Sequence, residues 1–519
     1  MITFAALTGP LPKAGVVIVA ALAALSLLAP RPRARALAML GALVLAPVLL
    51  LSDIWDSPQL RLVHRHPLPA LVGGLVAVAL LGALAVVIAR RPGWLAPLAV
   101  LALPFRVPIQ AGGSTSNLLV PLYLVVAAGS LAFIVPVLLE SAGRSTPRPG
   151  SAARRDASGG WAVWVGRLLA LYVVLYGIQA VYSPDFEKAL QQMVFFYVPF
   201  ALLYQLLRGV TWTAPLIRRC LLLVVALALV FSVIGFAEYA TKTIILNSKL
   251  VVANDLHTYF TVNSVFFDPD IFGRFLALVM VLLAVALLYP RPPREQLAAV
   301  AALAVLWAGL VLTLSRSSLG ALLVGLAVLA ALRWKPGRAL VVVIAVLGLG
   351  AAAVAISPTT FGLNQGINGA SSGRGGLVSG GIGLFGDRPG WGYGSGSFVK
   401  EYRAHHRATA TTLSASHTIP VTIAAEQGLV GLLAYAALVI AAIVCLLRRA
   451  RGDPVRSAVA AAFVALVFHT MLYADFLEDP VTWALLGIGV ALATAAPRRR
   501  AEADNAEPTP ARTVAAANP

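Results

Sequence analysis

Apolar runs of about 20 residues recur along this chain from Ala14 to Ala496, and no other property limits its fold as tightly. Twenty helical residues at 1.5 Å rise cover the roughly 30 Å hydrocarbon thickness of a bilayer. A single soluble core has no room for so many such runs. The alternation of apolar and polar residues that marks a membrane β-barrel is absent. Hydrophobic residues make up 59% of the 519 positions and charged ones 12%, about half the charge of an ordinary soluble domain. These features predict an all-α polytopic membrane protein.

Spans are expected near 14–29, 36–51, 68–89, 95–111, 117–139, 161–182, 187–207, 220–238, 271–289, 296–314, 318–333, 339–356, 419–447, 457–473 and 480–496. Every second connection is basic: Arg31 to Arg33, Arg90-Arg91, Arg144 to Arg155, Arg208 to Arg219, Arg291 to Arg294, Arg333 to Arg338, Arg448 to Arg456, and Arg498 to Arg500. The positive-inside rule makes these cytoplasmic, with the C-terminus inside and, for fifteen spans, the N-terminus outside. The predicted external connections then include two long ones, 239–270 and 357–418; loops of that length in a compact domain are usually functional or disordered. The division expected is an N-terminal transmembrane scaffold over 1–240, a C-terminal transmembrane domain over 241–496, and a disordered cytoplasmic tail over 497–519.

The net charge of +19 follows from the basic short loops and is not a nucleic-acid signature. Cys220 and Cys445 both fall in apolar segments and read as small packing residues, with no disulfide framework or metal site. The first segment lacks a basic region and a cleavage site, so it reads as a retained helix. No internal repeat supports an inverted-repeat transporter.

Some predicted external charges have no topological reason to exist. Arg274 follows Asp268-Pro269-Asp270 at a helix start, Arg316 lies in Thr313-Leu314-Ser315-Arg316-Ser317-Ser318, and Arg374 lies in a loop with fourteen glycines between Phe361 and Phe398. Arginine at a membrane boundary is costly unless paired or solvated; singly each can snorkel to headgroups. Several on one face favour anion binding, because guanidinium takes phosphate oxygens bidentately. The loop ends in Pro389-Gly390-Trp391-Gly392-Tyr393-Gly394-Ser395-Gly396-Ser397-Phe398. Glycine permits close backbone approach, and Trp391 and Tyr393 can stack on sugars or anchor in headgroups. No Gly-Lys-Ser/Thr ends the run, so it is not a Walker-type loop. His417 precedes a helix with Thr418 as expected N-cap and Pro420 in the first turn. The positive end of that helix favours a neutral imidazole, which is what a general base requires. Glu426, nine residues on, faces away from His417 and is expected to bond a neighbouring helix.

Together these residues resemble the O-antigen ligase/polymerase superfamily of membrane glycosyltransferases. The resemblance rests on Thr313-Leu314-Ser315-Arg316, Gly373-Arg374, Pro389 to Phe398 with Gly394 and Gly396, and His417-Thr418 followed after nine residues by Gly428 and then Gly431; Arg274 with Leu278 fits a further element. It covers roughly 255–490. Thr418 stands where the family usually has Asn, Ser or Gln, and the tryptophan often found after the loop arginine is missing. The resemblance implies a GT-C-like bundle of about 14–15 transmembrane helices with a long external loop, in the cell (plasma or inner) membrane. It implies inverting, metal-independent and cofactor-free glycan transfer from a polyprenyl-diphosphate carrier to a glycan, lipid or protein acceptor on the external face. His417 would be the catalytic base. Arg274, Arg316 and Arg374 would bind diphosphate, and Trp391, Tyr393, Gly394 and Gly396 would position the glycan and loop.

Three alternatives stay open at this stage. Asp53 and Asp56 could form a metal-linked acidic site in the first external loop. The chain could be a flippase or transporter of a lipid-linked glycan. Within the superfamily, ligase, polymerase and protein O-oligosaccharyltransferase are not separated by the sequence.

Overall fold

A computed structural model of the protein describes residues 9–55, 64–111, 114–139, 160–245, 254, 260–335, 374–406 and 416–495, with isolated positions between 337 and 348. The first segments are α1 (Pro10–Leu28), α2 (Pro32–Ile54), α3 (Pro67–Arg90) and the short α4 (Leu95–Ala102). A hairpin of β1 (Val107–Ala111) and β2 (Ser114–Leu118) precedes α5 (Val120–Leu139) and α6 (Trp161–Ala180). Then come α7 (Phe186–Gln192), a π-type turn Met193–Tyr197, α8 (Val198–Gly209) and α9 (Ala214–Thr241). The C-terminal half holds α10 (Pro269–Leu288), α11 (Pro293–Leu312), α12 (Arg316–Arg333), α13 (Arg374–Asp387), α14 (Phe398–His406), α15 (Ile419–Leu447), α16 (Pro454–Leu472) and α17 (Pro480–Thr494).

Among the described residues twelve helical segments are long and apolar enough to cross a membrane, counting Phe186–Gly209 as one. The all-α polytopic class therefore holds. Two shorter apolar helices, Pro92–Ala102 and Pro480–Thr494, stand at expected spans. Most of the span expected at 339–356 lies outside the described residues, as do Asp56, the linker 140–159 and the tail 496–519.

The span expected at 95–111 differs. Its helix stops at Ala102, and an antiparallel hairpin follows that pairs Val107 with Leu118 and Ala111 with Ser114. Pro104 and Pro108 explain the stop: neither has an N–H to donate to a continuing helix, and Pro108 biases Val107 to the extended backbone of β1. The segment still advances along α9. Ala96 packs beside Leu216 and Cys220 near the start of that helix, and the Phe105 ring meets Phe231 edge-on at 5.7 Å.

The two halves join where α6 packs on α15 and α8 on α17. In the C-terminal half α10 is flanked by α11, α12 and α16, and Trp483, Phe463 and Phe476 are fully buried in the shared core. The N-terminal ends of α10, α12, α15 and α17 meet the C-terminal end of α16.

Candidate active site

Capping sets the rim of this end. Asp268 caps α10 by accepting the Asp270 N–H at 2.7 Å, and Asp479 caps α17 by accepting the Val481 N–H at 2.9 Å. Ser315 caps α12 through the Ser318 N–H at 3.3 Å. Pro269 and Pro480 occupy the first turn, where the missing N–H costs nothing. Thr418 sits at the N-cap position of α15, but its side chain makes no cap bond. Ser416 braces the entry instead: its hydroxyl accepts the Thr418 N–H at 3.2 Å, donates to the Thr418 carbonyl at 2.7 Å and lies 2.7 Å from Thr422 Oγ1. His417 is held between them with φ +58°, half-buried. Leu314 (φ +53°) and Asp475 (φ +75°) share this left-handed backbone nearby. Such conformations cost non-glycine residues energy and concentrate at functional sites.

Tyr473 links the sequence-predicted residues. Its ring centroid lies 6.0 Å from that of His417 and 6.0 Å from the Arg274 guanidinium carbon. Its hydroxyl donates to Asp268 Oδ2 at 2.9 Å. Arg274 is 3% exposed. Its Nη2 lies 2.5 Å from Asp479 Oδ2 as a charge contact lacking hydrogen-bond alignment, and its Nη1 has no hydrogen-bond partner among the described residues. A second imidazole, His469, is fully buried, 5.5 Å from the Tyr473 ring. Its Nε2 is 3.2 and 3.3 Å from the Ser317 and Ser318 hydroxyls. Asp270 Oδ1 accepts from Ser315 and Ser317. Burial, then the Asp270 charge, pushes the Asp268 carboxyl up to about 6. Burial raises the Glu478 carboxyl too, with the Asp475 charge adding to it.

Residues 301–436 match the protein-family model described as O-Antigen ligase. Over that stretch the chain is similar to the O-antigen ligase family. The matched stretch contains Arg316, Arg374, Trp391 to Gly396 and His417; Arg274 lies before it. No curated protein matches the chain.

Within the matched stretch, Arg316 is the exposed first residue of α12, next to the serines that bind His469. Arg374 begins α13, and its side chain lies outside the described residues. The glycine–aromatic segment forms a wedge against α15. The Leu429 N–H donates to the Pro389 carbonyl at 2.7 Å, and the Tyr393 and Gly394 N–H groups donate to the Ala425 and Glu426 carbonyls. A Cβ on Gly428 (φ +63°) would lie 2.4 Å from the Gly390 oxygen, and one on Gly392 (φ +67°) 2.4 Å from Glu426. Gly394 and Gly396 press on Ser183 and Ala189 in the same way. Trp391 is 56% exposed, with its carbonyl held by Tyr182 and Gln179. Tyr393 is buried, beside His405 and under Arg388. Glu426 bonds the loop and the helix that follows it: its carboxylate accepts the Gly396 N–H at 2.8 Å and the N–H of Phe398, the first residue of α14, at 3.1 Å.

Sequence reasoning missed Tyr473, His469 and Asp479. The signal was present. Tyr473-Ala474-Asp475-Phe476-Leu477-Glu478-Asp479 places three acids in one short connection between apolar helices, where topology requires none.

Proposed function

We propose that this chain transfers a glycan from a polyprenyl-diphosphate carrier to an acceptor hydroxyl at the outer surface of the cell membrane. The observation that carries the reading is the shared packing of His417 and Arg274 on Tyr473, at the meeting point of four helix N-termini. His417 takes the acceptor proton. The acceptor oxygen bonds to the anomeric carbon, and the bond from that carbon to the diphosphate oxygen breaks. Its electron pair leaves with the polyprenyl diphosphate. One displacement inverts the anomeric configuration.

The leaving group needs charge stabilisation more than it needs an acid. Arg274 supplies this through the donor Nη1, with Arg316 and Arg374 as further cations and the helix N-termini adding partial positive charge. In this reading guanidiniums do the work that a metal does elsewhere. Trp391 at the rim of the wedge meets the sugar.

The test uses purified full-length protein in lipid nanodiscs. The donor is lipid-linked glycan extracted from a deletion strain, and the acceptor is the cell-envelope fraction of that strain. Release of polyprenyl diphosphate is expected without any ion gradient, and His417→Ala is expected to abolish it. Turnover undiminished in H417A, or glycan movement without bond breakage, would overturn the reading.

A further inference from the structure

Resting on that reading, we infer that Tyr473 is a positioning residue: it fixes the proton-accepting imidazole of His417 and the diphosphate-holding guanidinium of Arg274 against one ring, and its hydroxyl sets where that ring stands.

Tyr473 is the residue that ends α16, in extended backbone (φ −149°, ψ 154°), and is 8% exposed. Apolar packing alone does not call for a tyrosine here, because a buried hydroxyl without a partner is costly. This hydroxyl has a partner, Asp268 Oδ2 at 2.9 Å. Oδ1 of the same carboxylate caps α10. The phenol thus ties the end of α16 to the start of α10, six residues before Arg274. Around the ring stand His417 at 6.0 Å, His469 at 5.5 Å and the Arg274 guanidinium carbon at 6.0 Å. His469 is in turn placed by Ser317 and Ser318 of α12. One side chain therefore meets groups from α10, from α16 and from the entry to α15, and they include both residues assigned to the chemistry.

An aromatic face near a cation favours the cation. The ring is therefore suited to Arg274 throughout the reaction and to His417 once it has taken the proton. A reacting group misplaced by about 1 Å can cost 10²-fold in rate.

The experiment compares Tyr473→Phe and Tyr473→Leu with the wild type in the nanodisc assay, alongside binding of polyprenyl diphosphate alone. Phe keeps the ring and frees it from Asp268. The expected result is a fall in kcat of about tenfold, the loss of one hydrogen bond to a charged group, with KM for the donor and binding of polyprenyl diphosphate within about twofold of wild type. The acidic limb of the pH profile supplies a readout that a merely structural role would not move. Asp268 faces Asp270 on its own helix and Tyr473 and Asp475 from the 473–479 connection, and the Tyr473 hydrogen bond lowers its pKa against the effect of burial. Removing that bond is expected to move the limb to higher pH. Leu removes the ring as well. It is expected to cost about a hundredfold or more in kcat/KM and to weaken polyprenyl diphosphate binding.

Wild-type kcat and an unmoved acidic limb in Y473F would overturn the inference, as would Y473L with the same kcat, KM and binding as Y473F. If Y473L does not fold, as judged by its thermal midpoint, the Phe variant decides alone through kcat and the pH limb. The two failures are separable. An active H417A sinks the glycosyl-transfer reading, whereas a dead H417A with a wild-type Y473F sinks only the role given to Tyr473.

Discussion

Asp479 holds two partners at once: its Oδ2 lies 2.5 Å from Arg274 Nη2, and its Oδ1 accepts the Val481 N–H at 2.9 Å. The carboxylate that caps α17 is thus the counter-charge of a buried arginine at the site. Both side chains are almost fully buried, at 4% and 3% side-chain exposure. Removing one member of such a pair leaves a buried charge uncompensated, at a cost of about 3–5 kcal/mol. Asp479→Asn keeps a good capping residue and deletes only the charge. It is expected to lower the thermal unfolding midpoint in detergent markedly. Adding Arg274→Met to it is expected to recover part of the loss, because the orphaned cation is gone. A double variant less stable than D479N alone would show that the pair is not the origin of the effect.

The wedge predicts a different sensitivity. Gly428→Ala puts a methyl group 2.4 Å from the Gly390 oxygen at a backbone angle of φ +63°, a position that costs a non-glycine residue about 1–3 kcal/mol before any collision. The segment bonded to it is expected to lose its seat, and chymotrypsin is expected to cut after exposed Trp391 faster than in wild type. Gly383→Ala is the control. It lies in α13 with open space around it, and alanine favours helix there. Equal cleavage rates in the two variants would dismiss the steric account.

Much of this was legible in the sequence, for identifiable reasons. Spans are long, and apolar length is a local property, so α1, α9, α10 and α15 could be read directly. The glycines of 390–396 pointed to close backbone approach, and each of Gly392, Gly394 and Gly396 does meet backbone or a neighbouring residue. What they approach, Glu426 beside the Gly428 kink, Ser183 and Ala189, depends on packing that no local pattern records. The segment 95–111 was misread because apolar composition outweighed two prolines. Tyr473, His469 and Asp479 escaped for another reason. Each draws its role from partners far along the chain: Asp268 is 205 residues from Tyr473, and Ser317 is 152 from His469. Single-residue chemistry identified His417 and Arg274 as candidates, but only tertiary contact puts them on one ring.

Asp268 makes stability depend on pH with a definite sign. Its carboxyl titrates near 3.8 unfolded and near 6 in the fold, because of burial first and the Asp270 charge second. Between these values the folded state holds the extra proton, so this group favours folding below pH 3.8 and the contribution fades as pH rises through 6. Asp268→Asn caps α10 as well through its amide oxygen and turns its NH2 to the Tyr473 hydroxyl as a donor, but it does not titrate. The variant's thermal midpoint relative to wild type is therefore expected to rise as the pH is taken from 4 to 7. A difference that stays flat over that range would mean Asp268 keeps an ordinary carboxyl pKa in the fold.

The orientation that the charge pattern assigns can be tested with thiols placed at two ends of α15. Trp391 is 56% exposed on the wedge beside the Gly428 kink, at the end assigned to the outside. Gly452 is exposed in the turn after Arg448 to Arg451, at the end assigned to the cytoplasm. The native Cys220 and Cys445 are both buried, so background labelling is expected to be low. In intact cells or spheroplasts, Trp391→Cys is expected to react with a membrane-impermeant maleimide, and Gly452→Cys only after permeabilisation. The part of α15 from Gly428 to its end at Leu447 spans about 30 Å at 1.5 Å per residue, enough to put the two positions on opposite faces of a bilayer. The reverse labelling pattern would place His417 and Arg274 on the cytoplasmic side, and glycan transfer at the outer surface would have to be abandoned.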